Sequence, residues 1–181
     1  MSKKPEILNI TTVAQTRIFH VQQLDLKFPN GVTVQYERLL SPKRGAVMIV
    51  PMLDANTVLL IREYAAGTHR YELALPKGKI EDEEDILQAA NREIQEEVGY
   101  AARSLQHMHS MTLAPGYISH TTHVILATDL YPSRAEGDEP EAIEVVPWKL
   151  DDMASLLQQE EFTEARSIAA LYMIRDHLRG N

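Results

Sequence analysis

From Glu83 to Gly99 the sequence reads EEDILQAANREIQEEVG, a helix whose ends and buried face are all encoded locally. Asp85 followed three residues later by Gln88 matches a capping box, in which each side chain covers the other residue's backbone N–H. Glu83, Glu84 and Asp85 bring negative charge to the positive end of the helix. Ile86, Leu87, Ala90, Ile94 and Val98 form an apolar stripe at helical spacing, so the element must lie against another layer. Gly99 stands where a C′ glycine ends a helix.

The chain around this helix reads mainly as strands. Ala46 to Pro51 (AVMIVP) is a continuous apolar run of the kind buried on both faces of a sheet. A turn over Asp54 to Asn56 leads to a second strand, Thr57 to Tyr64. RYELALPKGKIEDEED is expected to be a strand running into a loop over Pro76 to Asp82. Further strands are expected near Ser104–Thr112, Thr122–Asp129 and Ala142–Trp148, followed by helices over DMASLLQQ and TEARSIAALYMIRDHLRG. In the last helix Ile168, Leu171 and Ile174 have core spacing. One capped helix set among strands predicts an α/β fold, a sandwich of helices on mixed β-sheet. Residues 1–45 also read as strands, with Asn30-Gly31 marking a hairpin, but are too few to bury a core alone. The expected division is therefore 1–45 as an N-terminal strand region and 46–181 as the main domain.

Three glutamates, Glu93, Glu96 and Glu97, share one edge of the capped helix, where like charges repel. Two readings stand: a solvated acidic face, or oxygen ligands for a hard divalent cation such as Mg²⁺, which is usually held by carboxylates together with substrate phosphates. The absence of cysteine excludes disulfides and thiolate metal sites, and the seven histidines show no zinc spacing. A formal charge of −8 disfavours a nucleic-acid groove and leaves room for a small anionic ligand whose repulsion metal ions mask. No long apolar run or signal-peptide pattern is present, so neither a membrane span nor a membrane partner is expected, and the expected location is cytoplasmic.

Gly78, Glu84, Arg92, Glu93, Glu96, Glu97 and Gly99, with Ile94 between them, resemble the 23-residue Nudix box over 78–100, the signature of the Nudix hydrolase superfamily. Tyr100 departs from the usual aliphatic residue at the last position, and Glu83 stands where many members have glycine. The resemblance implies the Nudix fold with its loop–helix–loop, Mg²⁺ or Mn²⁺ as cofactor, and hydrolysis of a nucleoside diphosphate linked to another moiety. It implies Glu93 and Glu97 as the main metal ligands, Glu96 as a third or water-mediated one, the Lys77 carbonyl as an extra ligand, and Arg92 in the catalytic set.

YELALPKGK is similar to the strand and loop entering the box in ADP-ribose pyrophosphatases, and Pro115 lies where a proline marks the ADP-sugar branch, unless Pro115-Gly116 is simply a turn. Nearly the whole chain resembles the NudE group of bacterial ADP compounds hydrolases. That implies action on ADP-ribose, diadenosine polyphosphates and NADH with release of AMP, and a homodimer formed through the N-terminal strands. A nucleotide sensor without turnover, or a hydrolase of GDP-mannose, are the alternatives. A base is sought in EGDEPEAIEVV, which offers Glu136, Asp138, Glu139 and Glu141. The resemblance favours Glu139 ahead of Glu141. A solvated loop is the bland reading there, and direct action of Glu96 the rival one. Cations and polar groups for the substrate are sought in Arg62, Arg70 and Glu72. Arg62 reads equally well as a surface salt bridge, and Ala65 replaces an arginine that some ADP-ribose pyrophosphatases carry. Phe19 and Tyr36 could stack on adenine, although such aromatics more often serve a core or interface.

Overall fold

The computed structural model describes residues 3–41, 44–137 and 139–180. They form two compact units, one of residues 1–45 with 112–121, the other of 46–111 with 122–181.

The first unit is an antiparallel sheet of β1 (Glu6–Gln15), β2 (His20–Lys27) and β3 (Thr33–Leu39), with β2 central. The β2–β3 turn is closed by Gly31 N–H donating to the Phe28 carbonyl, with Gly31 at φ 87°. Residues 112–121 return to this unit. Leu39 N–H donates to the Tyr117 carbonyl, Ser119 N–H to the Leu39 carbonyl, and Ile118 bridges Leu39 in parallel. Every residue of β1 is exposed, including Ile7, Leu8, Ile10 and Val13.

The second unit carries β4 (Ala46–Pro51), β5 (Thr57–Ala65), β6 (Arg70–Ala74), β7 (Lys77–Lys79), α1 (Ile86–Glu93), β8 (Tyr100–Thr112), β9 (Thr121–Pro132), β10 (Glu144–Lys149), a short α2 (Met153–Leu156) and α3 (Ala165–Leu178). One sheet has the order β7-β4-β9-β8, with β4 and β9 parallel, and a second has the order β10-β5-β6. Alternation along β4 explains the layering. Val47 and Ile49 join Ala89, Ala90, Ile94 and Val98 of the helical segment, whereas Met48 and Val50 join Leu171 and Ile174 of α3. The continuous apolar run of β4 therefore serves two cores, in keeping with the expected α/β class.

Three local expectations change. The loop expected over Pro76 to Asp82 begins as β7, because Lys77, Gly78 and Lys79 pair with Met48, Val47 and Ala46. The helix expected over 152–159 shortens to Met153–Leu156 behind a 3₁₀ turn, Leu150–Asp152, that buries Leu150. The strand expected from Ser104 begins at Tyr100, directly after Gly99.

Candidate active site

The capped helix forms as its sequence dictates. Asp85 Oδ1 accepts from the N–H groups of Leu87 and Gln88, at 2.8 and 2.9 Å, and the Gln88 side chain accepts from Asp85 N–H. The helix does not stay α to its end. Residues Ile94–Val98 form a π turn, closed by Gly99 N–H donating to the Ile94 carbonyl at 3.0 Å, with Gly99 left-handed at φ 82°. Single π turns inside helices are frequent at functional sites. Here it carries Glu96 and Glu97, while Glu93 is the last α-helical residue.

Arg92 ties the acidic edge together. Its Nε and Nη2 donate to the two oxygens of Glu84, at 2.7 and 3.0 Å. Nη1 donates to Glu93 at 2.8 Å and to Glu96 at 3.0 Å, and Nη2 also donates to the Lys79 carbonyl at 3.0 Å. All five guanidinium N–H donors are thereby engaged. The Glu84 hydrogen bonds, followed by the charge of Glu93, hold its pKa above the usual arginine value.

Glu93 and Glu97 are 7% and 3% exposed, and this burial is chemically expensive for carboxylates. Desolvation pushes the Glu93 carboxyl above the ordinary range against the opposing pull of Arg92. Desolvation pushes Glu97 up to about 8, offset in part by Lys77. The Glu97 carboxylate accepts from Lys77 N–H at 3.0 Å, while the Lys77 ammonium pairs with Glu63 at 3.2 Å. Gly78 completes the geometry, because a Cβ there would overlap the Glu93 carboxylate.

These residues suit a divalent cation. The donors are all hard oxygens, and two are buried carboxylates whose charge the protein itself compensates only in part. Among the described residues no three such side chains converge on one point, since Arg92 draws Glu93 and Glu96 while Lys77 draws Glu97.

Glu139 comes near this edge from the loop between β9 and β10. It faces a hollow of about 380 Å³ that it shares with Glu96, Arg134, Glu136 and Glu141, and its charge adds to the upward push on Glu93. A Cβ on Gly137 would meet the Glu139 carboxylate and lie 3.6 Å from the Glu96 Cβ. Glu141 is occupied differently, accepting from the Tyr71 hydroxyl at 2.6 Å. Asp138 lies outside the described residues.

The residues expected to meet the substrate have partners of their own. Arg62 grips Glu161 through Nε and Nη2 and Glu144 through Nη1 at 2.5 Å. Arg70 donates to Glu72 at 2.7 Å and to Thr163 at 3.0 Å, and Thr163 donates in turn to Glu72. Glu72 and Thr163 line a second hollow, about 390 Å³, with Tyr64, Ala65, Ala74 and Lys77. Pro115 is in the turn from Ala114 to Ile118, inside the first unit. Phe19 and Tyr36 are also in that unit and exposed. Sequence reasoning missed Glu63, which pairs with Lys77 fourteen residues away, and Gly137, whose only signal was a glycine beside the acidic loop.

Comparison with known proteins agrees with this geometry. Residues 42–171 match the NUDIX domain model, and residues 5–38 match the NudE-type Nudix hydrolase N-terminal domain. The chain is 47% identical over 178 residues to the ADP compounds hydrolase NudE of Escherichia coli, covering 98% of this chain and 95% of that protein. It is 29% identical to an ADP-ribose pyrophosphatase of Bacillus subtilis, covering 91% of each. A crystal structure of an ADP compounds hydrolase superposes with a TM-score of 0.93 at 47% identity, covering 99% of this chain and 97% of that one.

Proposed function

Since this chain belongs to the Nudix hydrolases, in the NudE-type group, we propose that it cleaves the pyrophosphate bond of ADP-containing conjugates such as ADP-ribose, diadenosine polyphosphates and NADH, releasing AMP. The observation that carries this reading is the pair of buried carboxylates, Glu93 and Glu97, beside Glu96 and within reach of a second carboxylate loop.

Nudix hydrolases in general work with divalent metal ions. Glu93, Glu97 and Glu96, with the Lys77 main chain, would hold Mg²⁺ or Mn²⁺ here. When bound, the cation supplies positive charge to the pyrophosphate oxygens and acidifies water. The chain's own residues do the rest. Arg92, with every donor committed, positions Glu93 and Glu96 and has none left over for substrate. Glu139 accepts a proton from water as the water oxygen bonds to one phosphorus of the anhydride, and the bond from that phosphorus to the bridging oxygen breaks, the electron pair leaving with the other phosphate. Arg62 and Arg70 serve as braces between strands and the segment before α3. The apolar exposure of β1 supports a homodimer assembled through the N-terminal sheet. No helix among the described residues is long and apolar enough to cross a membrane, and the proposed location is cytoplasmic.

The test is a product assay over ADP-ribose, NADH, diadenosine triphosphate and GDP-mannose, with Mg²⁺ or Mn²⁺, for wild type and Glu139→Gln. AMP is expected from the adenylate conjugates, and turnover by Glu139→Gln is expected to fall at least ~100-fold with unchanged metal affinity. Conjugate binding without turnover in the wild type would make the protein a nucleotide sensor. Near-normal turnover by Glu139→Gln would move the base to Glu96 or Glu141.

A further inference from the structure

A pyrophosphate substrate brings negative charge to a site already crowded with glutamates, and the cations expected to receive it are spent elsewhere. Arg62 is bound by Glu161 and Glu144, Arg70 by Glu72 and Thr163, the Lys77 ammonium by Glu63, and Arg92 by three carboxylates and a carbonyl. Arg134 is different. It lines the hollow of about 380 Å³ that also holds Glu96 and Glu139. Its side chain is exposed and, among the described residues, has no hydrogen-bond or ion-pair partner.

Arg134 is nonetheless held in place. Ser133 N–H donates to the Gly99 carbonyl at 3.0 Å, and the Ser133 hydroxyl donates to the Gln95 side chain at 3.0 Å. Ala135 N–H donates to the Gln95 carbonyl at 3.1 Å. The residues on both sides of Arg134 are thus pinned to the end of the π turn, which fixes the Arg134 Cα. The guanidinium lies over Gly99, with Nη2 2.9 Å from where a Cβ would stand, so the glycine that ends the helix also makes room for the cation. A guanidinium presents a rigid fork of donors matched to phosphate oxygens. A pinned backbone also reduces the ordering that binding must impose.

We propose that Arg134 is a substrate-binding residue that contacts the phosphate oxygens of the pyrophosphate on the side of the hollow facing Glu139. This rests on the hydrolase reading above and adds to it the residue that receives the anion. By this assignment the loop carries two functions five positions apart: Glu139 acts on water and Arg134 holds the anion.

The experiment compares wild type, Arg134→Gln and Arg134→Lys in steady-state hydrolysis of ADP-ribose with Mg²⁺ at two ionic strengths, with thermal unfolding as a fold control. For Arg134→Gln the expected result is a KM raised about 10-fold, from one charge-assisted contact, with kcat and metal affinity changed less than about twofold. Arg134→Lys should recover part of the loss, and the salt dependence of KM should weaken in Arg134→Gln because a screened charge contact has gone. An unchanged KM, or a fall in kcat matched by a lower unfolding temperature, overturns the assignment. A wild type without turnover would instead refute the hydrolase reading itself, so the two failures are distinguishable.

Discussion

Replacing Glu97 by glutamine should destroy activity while making the metal-free protein more stable. Burial disfavours the charge of the folded carboxyl and pushes it up to about 8, from an ordinary value of 4.5. A folded pKa above the unfolded one means that the native state binds the extra proton. Stability is therefore full below about pH 4.5 and is lost as pH rises towards 8, since there the native state must either hold a proton the solvent lacks or bear a buried charge. That displacement corresponds to at most about 5 kcal/mol. Glutamine removes the charge and keeps an amide oxygen to accept the 3.0 Å Lys77 N–H bond. In chelator-treated protein at pH 8 the unfolding midpoint of Glu97→Gln is expected to exceed wild type by roughly 10 °C. The gap should close near pH 5, and added Mn²⁺ should stabilise wild type far more than the variant. Residual slope in the variant is expected from Glu93, whose pKa is raised in the same sense. A metal-free Glu97→Gln protein no more stable than wild type at pH 8, or a wild type whose metal-free stability rises between pH 5 and 8, would refute the reasoning.

Two further expectations follow from packing. Gly78 is not at positive φ, so alanine suits its backbone, but the new Cβ would overlap the Glu93 carboxylate. Gly78→Ala should fold with near-normal circular dichroism and lose at least ~10-fold in both metal affinity, read by calorimetry, and turnover. Ile10→Lys puts a charge on the exposed apolar β1 and should convert a dimer to monomer in sedimentation experiments, whereas a persistent dimer would place the interface elsewhere.

What the sequence made legible was local. Asp85 and Gln88 define their helix start within four residues, and AVMIVP names a strand buried on both sides because its apolar run is unbroken. The carboxylates of the site are adjacent in sequence, so a spacing pattern could find them. The fates of Arg62 and Arg70 could not be read in the same way. Arg62 meets Glu161 across 99 positions, so nothing near it signals that its charge is already matched, and Arg70, although its Glu72 partner is two residues away, is tied to Thr163 only across 93. The π turn was hidden for another reason. Ile94 and Val98 lie on the apolar stripe whether the last turn closes on i−4 or i−5, and only the Gly99-to-Ile94 bond distinguishes them. Arg134 carries no motif, and it stands out because among the described residues it has no partner where Arg62, Arg70, Lys77 and Arg92 have one, and because the residues on both sides of it are pinned.

The return of residues 112–121 to the N-terminal strands bears on how the protein is made. Leu39 leaves the ribosome long before Tyr117 and Ser119, the residues to which its main chain is bonded. During synthesis the leading hairpin must wait, unfinished, through the translation of about eighty residues before that edge can close. The free edge of β3 is thus open to chaperones or to other nascent chains for that interval. Cutting away the first 45 residues as though they were a detachable tag would leave the 112–121 segment without its pairing strand.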